Sequence, residues 1–218
     1  MRDRQIHAAV KIVKNTIRQW EEPIVGVVAR ESRDPFQILI ACLLSLRTKD
    51  HTTAEASQRL FSLADNPARM LKLPLKQVEH AIFPVGFYKT KAKQIHAICQ
   101  SLLENFEGRV PRTIDELLTL KGVGRKTANL VVTVGYNKPG ICVDIHVHRI
   151  SNRWGYIQTK TPEESEQALR NKLPKKYWIQ FNDWLVPYGQ NLCRPVSPFC
   201  SQCPVSDYCD RVGVTTSR

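Results

Sequence analysis

Two groups of side chains in this 218-residue chain stand where they can do chemistry: a set of four close thiols, and an amine followed by an acid. The thiols run Cys193-x6-Cys200-x2-Cys203-x5-Cys209. At that spacing four thiolates can converge on one ion or cluster within a single loop, and Pro195, Pro198 and Pro204 resist a regular helix that would aim them apart. Disulfides fit poorly, because Met1-Arg2-Asp3-Arg4 lacks the apolar stretch of a secretory signal, and Cys42, Cys99 and Cys142 sit singly in apolar surroundings. A reducing cytosol is expected. Zinc sites usually pair their ligands as two C-x2-C knuckles, and here only Cys200 and Cys203 make one. An iron-sulfur cluster is favoured, with zinc as the competitor, and the three lone cysteines read as small core hydrophobes.

The amine is Lys126, in Leu118-Thr119-Leu120-Lys121-Gly122-Val123-Gly124-Arg125-Lys126-Thr127-Ala128. Gly122 and Gly124 let the backbone turn tightly and approach a ligand, and the helix that follows offers free amides at the positive end of its dipole, where a phosphate fits. This reads as a helix-hairpin-helix that holds a nucleic-acid backbone without reading bases. Adjacent helical residues point about 100° apart, so one of Arg125 and Lys126 binds phosphate while the other does chemistry. With partial burial in the first turn, the Lys126 amine is expected to shed its proton more readily and act as a nucleophile. A single lysine in so basic a chain is ordinarily a solvated charge, so the chemical reading needs a partner.

Asp144, in Ile141-Cys142-Val143-Asp144-Ile145-His146-Val147-His148-Arg149, supplies it. Its default role is to cap the next helix, and its carboxylate can also stabilise positive charge developing at a sugar carbon. His146 and His148 read as surface or packing residues, since no matching ligand cluster accompanies them.

Thirty-two Lys and Arg against twenty Asp and Glu leave a formal charge of +12, which points to a polyanionic partner, most simply nucleic acid. No apolar run reaches the roughly 18 residues of a membrane span, so no membrane partner is expected. The length suffices for a core without a staple, which gives the metal a local purpose.

Apolar residues recur at helical spacing throughout, as in Ile6, Val10, Val13, Ile17 and Trp20, so the fold is all-α. The pattern gives about eleven helices, near 3–21, 35–46, 51–62, 67–72, 75–82, 90–106, 114–120, 125–135, 145–154, 162–172 and 175–189. Asp34-Pro35, Asn66-Pro67 and Thr161-Pro162 sign three helix starts, and Thr113/Glu116 and Thr161/Glu164 fit the capping box. The nearly all-apolar segment from Phe36 to Leu46 predicts a helix surrounded by others. Gly135-Tyr136-Asn137-Lys138-Pro139-Gly140 breaks the pattern and marks a domain boundary.

Taken together, the Gly122-to-Ala128 hairpin, Val143-Asp144-Ile145-His146 and the C-x6-C-x2-C-x5-C loop resemble the endonuclease III family of helix-hairpin-helix DNA glycosylases, over nearly the whole chain. The resemblance implies a [4Fe-4S] cluster on Cys193, Cys200, Cys203 and Cys209. It implies a six-helix barrel over 24–136 and a second helical domain from 1–23 and 137–218, with the cluster loop at 193–209. Lys126 matches the lysine that attacks C1′ of a damaged nucleotide, displaces the base and forms a Schiff base, after which β-elimination nicks the strand 3′ to the site. Asp144 matches the aspartate that assists base departure and lysine activation. The implied activity is that of a bifunctional DNA glycosylase and AP lyase of base excision repair acting on oxidised pyrimidines.

The substrate base must leave the duplex for the cleft between the domains, at a cost of a few kcal/mol, and a wedge must fill the vacated stack. The family's wedge positions match Arg47 and Phe87, of which the apolar Phe87 ring slips between bases more readily. By the same resemblance Tyr88, Lys89, Lys91, Gly122, Gly124, Arg125 and Arg194 are expected to touch DNA. The basic run Lys89, Lys91 and Lys93 can grip phosphate, although such runs usually mark a solvated face. Two departures bear on specificity. Bacterial relatives commonly carry glutamine at the position of Arg47 and proline at that of Lys121, and their loop between the first two cluster cysteines is more basic. A T:G or U:G mismatch glycosylase and a non-catalytic, metal-bearing damage-binding module are the alternatives; Lys126 counts against a purely monofunctional mismatch enzyme, and Lys126 with Asp144 against the non-catalytic module. A monomer is expected, acting on double-stranded DNA with damaged or abasic nucleotides in the cytoplasm, at the nucleoid.

Overall fold

The computed structural model describes residues 1–20, 27–28, 32 and 34–218. The described residues hold eleven α-helices and no β-strand, as the periodicity predicts. They fall into two compact units, Met1–Pro23 with Pro139–Arg218, and Ile24–Lys138. Residues 21 and 24, where the first helix was expected to end and the barrel to begin, lie outside the described residues.

The Ile24–Lys138 unit contains α2 (Pro35–Ser45), α3 (Asp50–Leu63), α4 (Pro67–Lys72), α5 (Leu75–Ile82), α6 (Tyr88–Asn105), α7 (Ile114–Leu118) and α8 (Arg125–Leu130), which runs on as a π turn over Val131–Gly135. Its centre is α2, where every residue from Ile38 to Leu44 is buried, because α3, α6, α8 and the π turn pack around it. Each fully buried aliphatic side chain there contributes about 1.5–3 kcal/mol. The helix starts behave as their sequences dictate. Asp34 accepts a hydrogen bond from Phe36 N at 2.8 Å, Asn66 from Arg69 N at 3.0 Å and Thr113 from Glu116 N at 3.3 Å.

The other unit contains α1 (Ile6–Thr16), α9 (Ile145–Arg153), α10 (Pro162–Lys172) and α11 (Phe181–Asn191). Helix α9 packs on α10 and α11, and α1 on α11, around Trp154, Tyr156, Phe181 and Tyr188. Thr161 caps α10 through Glu164 N at 3.2 Å, whereas Glu164 reaches Lys160 N, one residue short of a capping box. The helix expected over 175–189 begins later. Lys175–Tyr177 is a 3-10 turn, and α11 starts at Phe181 and continues past its internal Pro187 to Asn191. No helix among the described residues is long and apolar enough to cross a membrane.

Candidate active site

The hairpin between α7 and α8 turns on one glycine rather than two. Gly122 has φ +87°, and a Cβ there would stand 2.8 Å from Gln94 Nε2, so this position requires glycine. Gly124 has an ordinary φ of −91° and caps α8, and a Cβ on it would meet nothing within 4 Å. The second glycine therefore leaves open space beside the first turn of α8. Lys126 in that turn is exposed rather than partly buried, because Thr127 to Leu130 occupy the inward positions; Arg125 is half-buried. The Cys42 thiol lies buried within the field of the Lys126 charge. Burial pushes that thiol up to about 12, and the lysine's positive charge partly opposes the shift.

Asp144 belongs to the other unit and is buried at 7% exposure. It caps α9, with Oδ1 accepting from His146 N and Val147 N, each at 2.9 Å. The capping role is thus realised, and it fixes one carboxylate oxygen against the helix N-terminus. Further along the same helix stand two arginines to which the motif pattern assigned no role. Arg149 donates from Nε and Nη2 to the Cys193 carbonyl at 3.1 and 2.9 Å, and from Nη2 to Gly189 O at 3.1 Å. A Cβ on Gly189 would meet His146 Nδ1 at 2.4 Å and Arg149 Nη2 at 2.9 Å, so glycine on α11 admits the guanidinium. Arg153, one turn later, donates to Arg194 O at 2.6 Å, Pro195 O at 2.7 Å and Cys193 Sγ at 3.4 Å. The i,i+4 arginine spacing on α9 was the available signal, but it does not say which backbone the pair would hold.

The four close cysteines line one pocket, walled by Trp154, Tyr188, Leu192, Pro198 and Phe199. All seven cysteines are free of disulfides, and Cys42, Cys99 and Cys142 are buried as expected of core residues. Tyr188 OH lies 2.9 Å from Cys203 Sγ. Burial pushes the Cys193 thiol up against the opposing Arg153 charge and takes Cys209 to about 11. Among the described residues, no group of three His, Cys, Asp or Glu side chains is placed to hold a single metal ion. Arg194 is exposed, with its guanidinium over the Phe199 ring at 5.1 Å.

Arg47 and Phe87, forty positions apart, come together: the guanidinium lies 5.7 Å from the ring centroid. Both are exposed, Phe87 at 63%, and both have left-handed backbones, with φ +53° and +59°. An exposed ring on a constrained turn is unlike core packing. Tyr88 opens α6 and stacks edge-on against Phe83, and Lys89 is exposed. Lys91 corrects the expectation of a phosphate grip. It is 4% exposed and turned inward, with Nζ bonded to Leu44 O at 2.9 Å, Leu46 O at 2.6 Å and Thr48 Oγ1 at 3.2 Å. An 89, 91, 93 run spaced along a helix cannot face one way, and the middle member points to the core.

Residues 40–175 match the family described as HhH-GPD superfamily base excision DNA repair protein. Endonuclease III of Thermotoga maritima is 44% identical over 81% of this chain and 83% of its own length. Endonuclease III of Bacillus subtilis is 37% identical over 81% of each chain. A solved endonuclease III trapped as a covalent intermediate with DNA superposes with a TM-score of 0.84 at 33% identity, covering 97% of both chains. The all-helical fold, the glycine-dependent hairpin and these likenesses together make the chain a member of the endonuclease III family within the helix-hairpin-helix superfamily of base excision repair proteins.

Proposed function

We infer that the protein is a bifunctional DNA glycosylase and AP lyase of base excision repair that removes oxidised pyrimidines from duplex DNA. The observation that carries this reading is the exposed Lys126, two residues past Gly124 of an open, glycine-bordered hairpin, in a chain that matches 97% of an endonuclease III trapped covalently on DNA. In this reading the Lys126 amine bonds to C1′ as the bond from C1′ to the base breaks. The base leaves with that electron pair and takes up a proton. Ring opening turns the adduct into an iminium, loss of the neighbouring C2′ proton follows, and its electrons expel the 3′ phosphate. Asp144 stabilises the positive charge at the sugar and assists removal of the lysine proton, with its capped oxygen holding the carboxylate in place.

The hairpin amides and Arg125 hold backbone phosphate, and Tyr88, Lys89 and Arg194 extend that contact; Arg47 and Phe87 occupy the stack left by the extruded base. The Ile24–Lys138 unit is assigned as the six-helix barrel, and the other unit as the domain carrying the 193–209 loop. The four cysteines fit a [4Fe-4S] cluster: they line one pocket and are unbridged, and each iron of a cluster takes its own thiolate. When bound, the cluster supplies a cross-link that shapes the loop carrying Arg194. A monomer working in the cytoplasm at the nucleoid completes the assignment.

Borohydride trapping tests the reading. The wild type should yield a covalent adduct with duplex carrying an oxidised pyrimidine, and Lys126→Ala should yield none while still binding the duplex. An adduct formed by the alanine variant would remove Lys126 from the mechanism.

A further inference from the structure

Lys91 is the buried lysine that this chemistry does not use. Its ammonium reaches the C-terminal end of α2, where Leu44 O and Leu46 O lack helical partners, and it bonds to both. A positive charge is favourable there, because the helix dipole ends negative. Its third acceptor, Thr48 Oγ1, also accepts from Gly86 N at 3.2 Å. Gly86 in turn presses on the first loop from the other side, since a Cβ on it would stand 2.6 Å from Arg47 O. Thus one ammonium, one hydroxyl and one glycine tie the turn after α2 to the turn before α6. Those are the two turns that hold Arg47 and Phe87 in left-handed conformations and set the guanidinium over the ring.

We propose that Lys91 is a positioning residue for opposite-strand recognition: it clamps the two turns so that Arg47 and Phe87 are presented to lesion duplex as one rigid pair. Left-handed backbone at a non-glycine residue costs on the order of 1–3 kcal/mol and persists only where surrounding bonds over-determine it. Lys91 supplies three of those bonds from the interior. Burial depresses its pKa to about 8. The proposal rests on the reading that Arg47 and Phe87 meet DNA, and its test separates the two.

Lys91→Met keeps the aliphatic stem and deletes the donors, and Thr48→Val removes the shared oxygen if the first variant does not fold. Amide hydrogen exchange without DNA reads the clamp itself. Either variant should exchange at least tenfold faster over 44–48 and 85–88 while the centre of α9 keeps wild-type protection. Unchanged exchange in both variants overturns the proposal. Steady-state nicking of abasic duplexes with each of the four opposing bases reads the consequence. KM should rise about tenfold and the spread among opposing bases should shrink, with kcat kept within about twofold. In an Arg47→Ala/Phe87→Ala background the same Lys91→Met change should leave KM nearly unaltered, because coupled residues are not additive. A full tenfold rise there would show that Lys91 acts elsewhere and overturns the clamp. Wild-type KM and base preference in Arg47→Ala/Phe87→Ala itself would refute the DNA contact of that pair, an outcome distinct from unchanged exchange.

Discussion

The Arg149 guanidinium closes on the backbone carbonyl of Cys193 through two nitrogens, at 3.1 and 2.9 Å, so the helix capped by Asp144 also grips the first residue of the four-cysteine loop. Forty-four positions of chain are bridged by one side chain. Lysine cannot substitute, because the geometry needs a planar fork.

Arg149→Lys is therefore expected to weaken the loop. Loss of charge-assisted bonds at a half-buried site should cost about 1.5–3 kcal/mol, seen as a lower urea midpoint with unchanged slope. Cysteine-bound iron should also be lost faster to a chelator. A wild-type midpoint and chelation rate would mean that Arg153 and the pocket wall suffice.

Asp144 combines a cap with a proposed chemical role, and two substitutions separate them. Asparagine caps as well as aspartate, so Asp144→Asn should stay within about 0.5 kcal/mol of wild type while Asp144→Ala loses about 1 kcal/mol. Both should slow base release about a hundredfold, and more than they slow nicking at a preformed abasic site. Equal losses in the two assays would reduce Asp144 to its cap.

The two hairpin glycines should behave differently. Gly122→Ala forces a side chain to φ +87° and into Gln94, with an expected loss of about 1–2 kcal/mol in thermal or urea unfolding. Gly124→Ala, at an ordinary φ in open space, should leave stability unchanged and weaken duplex binding several-fold if DNA occupies that space. Intact binding by the Gly124 variant would place the DNA backbone elsewhere.

Lys91 also predicts a pH signature of stability. Its pKa is about 8 in the fold against 10.5 in the unfolded chain, so between those values the unfolded state holds more protons. The stability of the native protein should therefore gain a contribution from this residue as pH rises from about 8 towards 10. Urea unfolding of wild type and Lys91→Met at pH 7.5 and 9.5 isolates it. The difference between them should change with pH in the wild type's favour, and parallel behaviour would show the lysine to be unshifted.

Anaerobic purification gives the metal's identity. A brown protein with broad visible absorption is expected, bleached by Cys203→Ser, whereas a colourless zinc protein would return the loop to the competing reading.

Much of this architecture was legible in the residues. The 3.6-residue periodicity located the helices, because one apolar face must be buried whatever its neighbours are, and Asp34, Asn66, Thr113 and Thr161 declared helix starts by local hydrogen bonding that needs no tertiary partner. The cysteine spacing likewise held its message within one loop. What only the tertiary structure decided is direction and partnership. Lys91 and Lys89 look alike in the sequence, but one turns inward to carbonyls 45 and 47 positions away while the other stays at the surface. Gly122 and Gly124 differ in backbone angle and in the space beside them, and Arg149 finds its purpose in a carbonyl that no motif records. Local rules act over a few residues along the chain, whereas these assignments depend on which distant backbone groups are left without partners once the helices have packed.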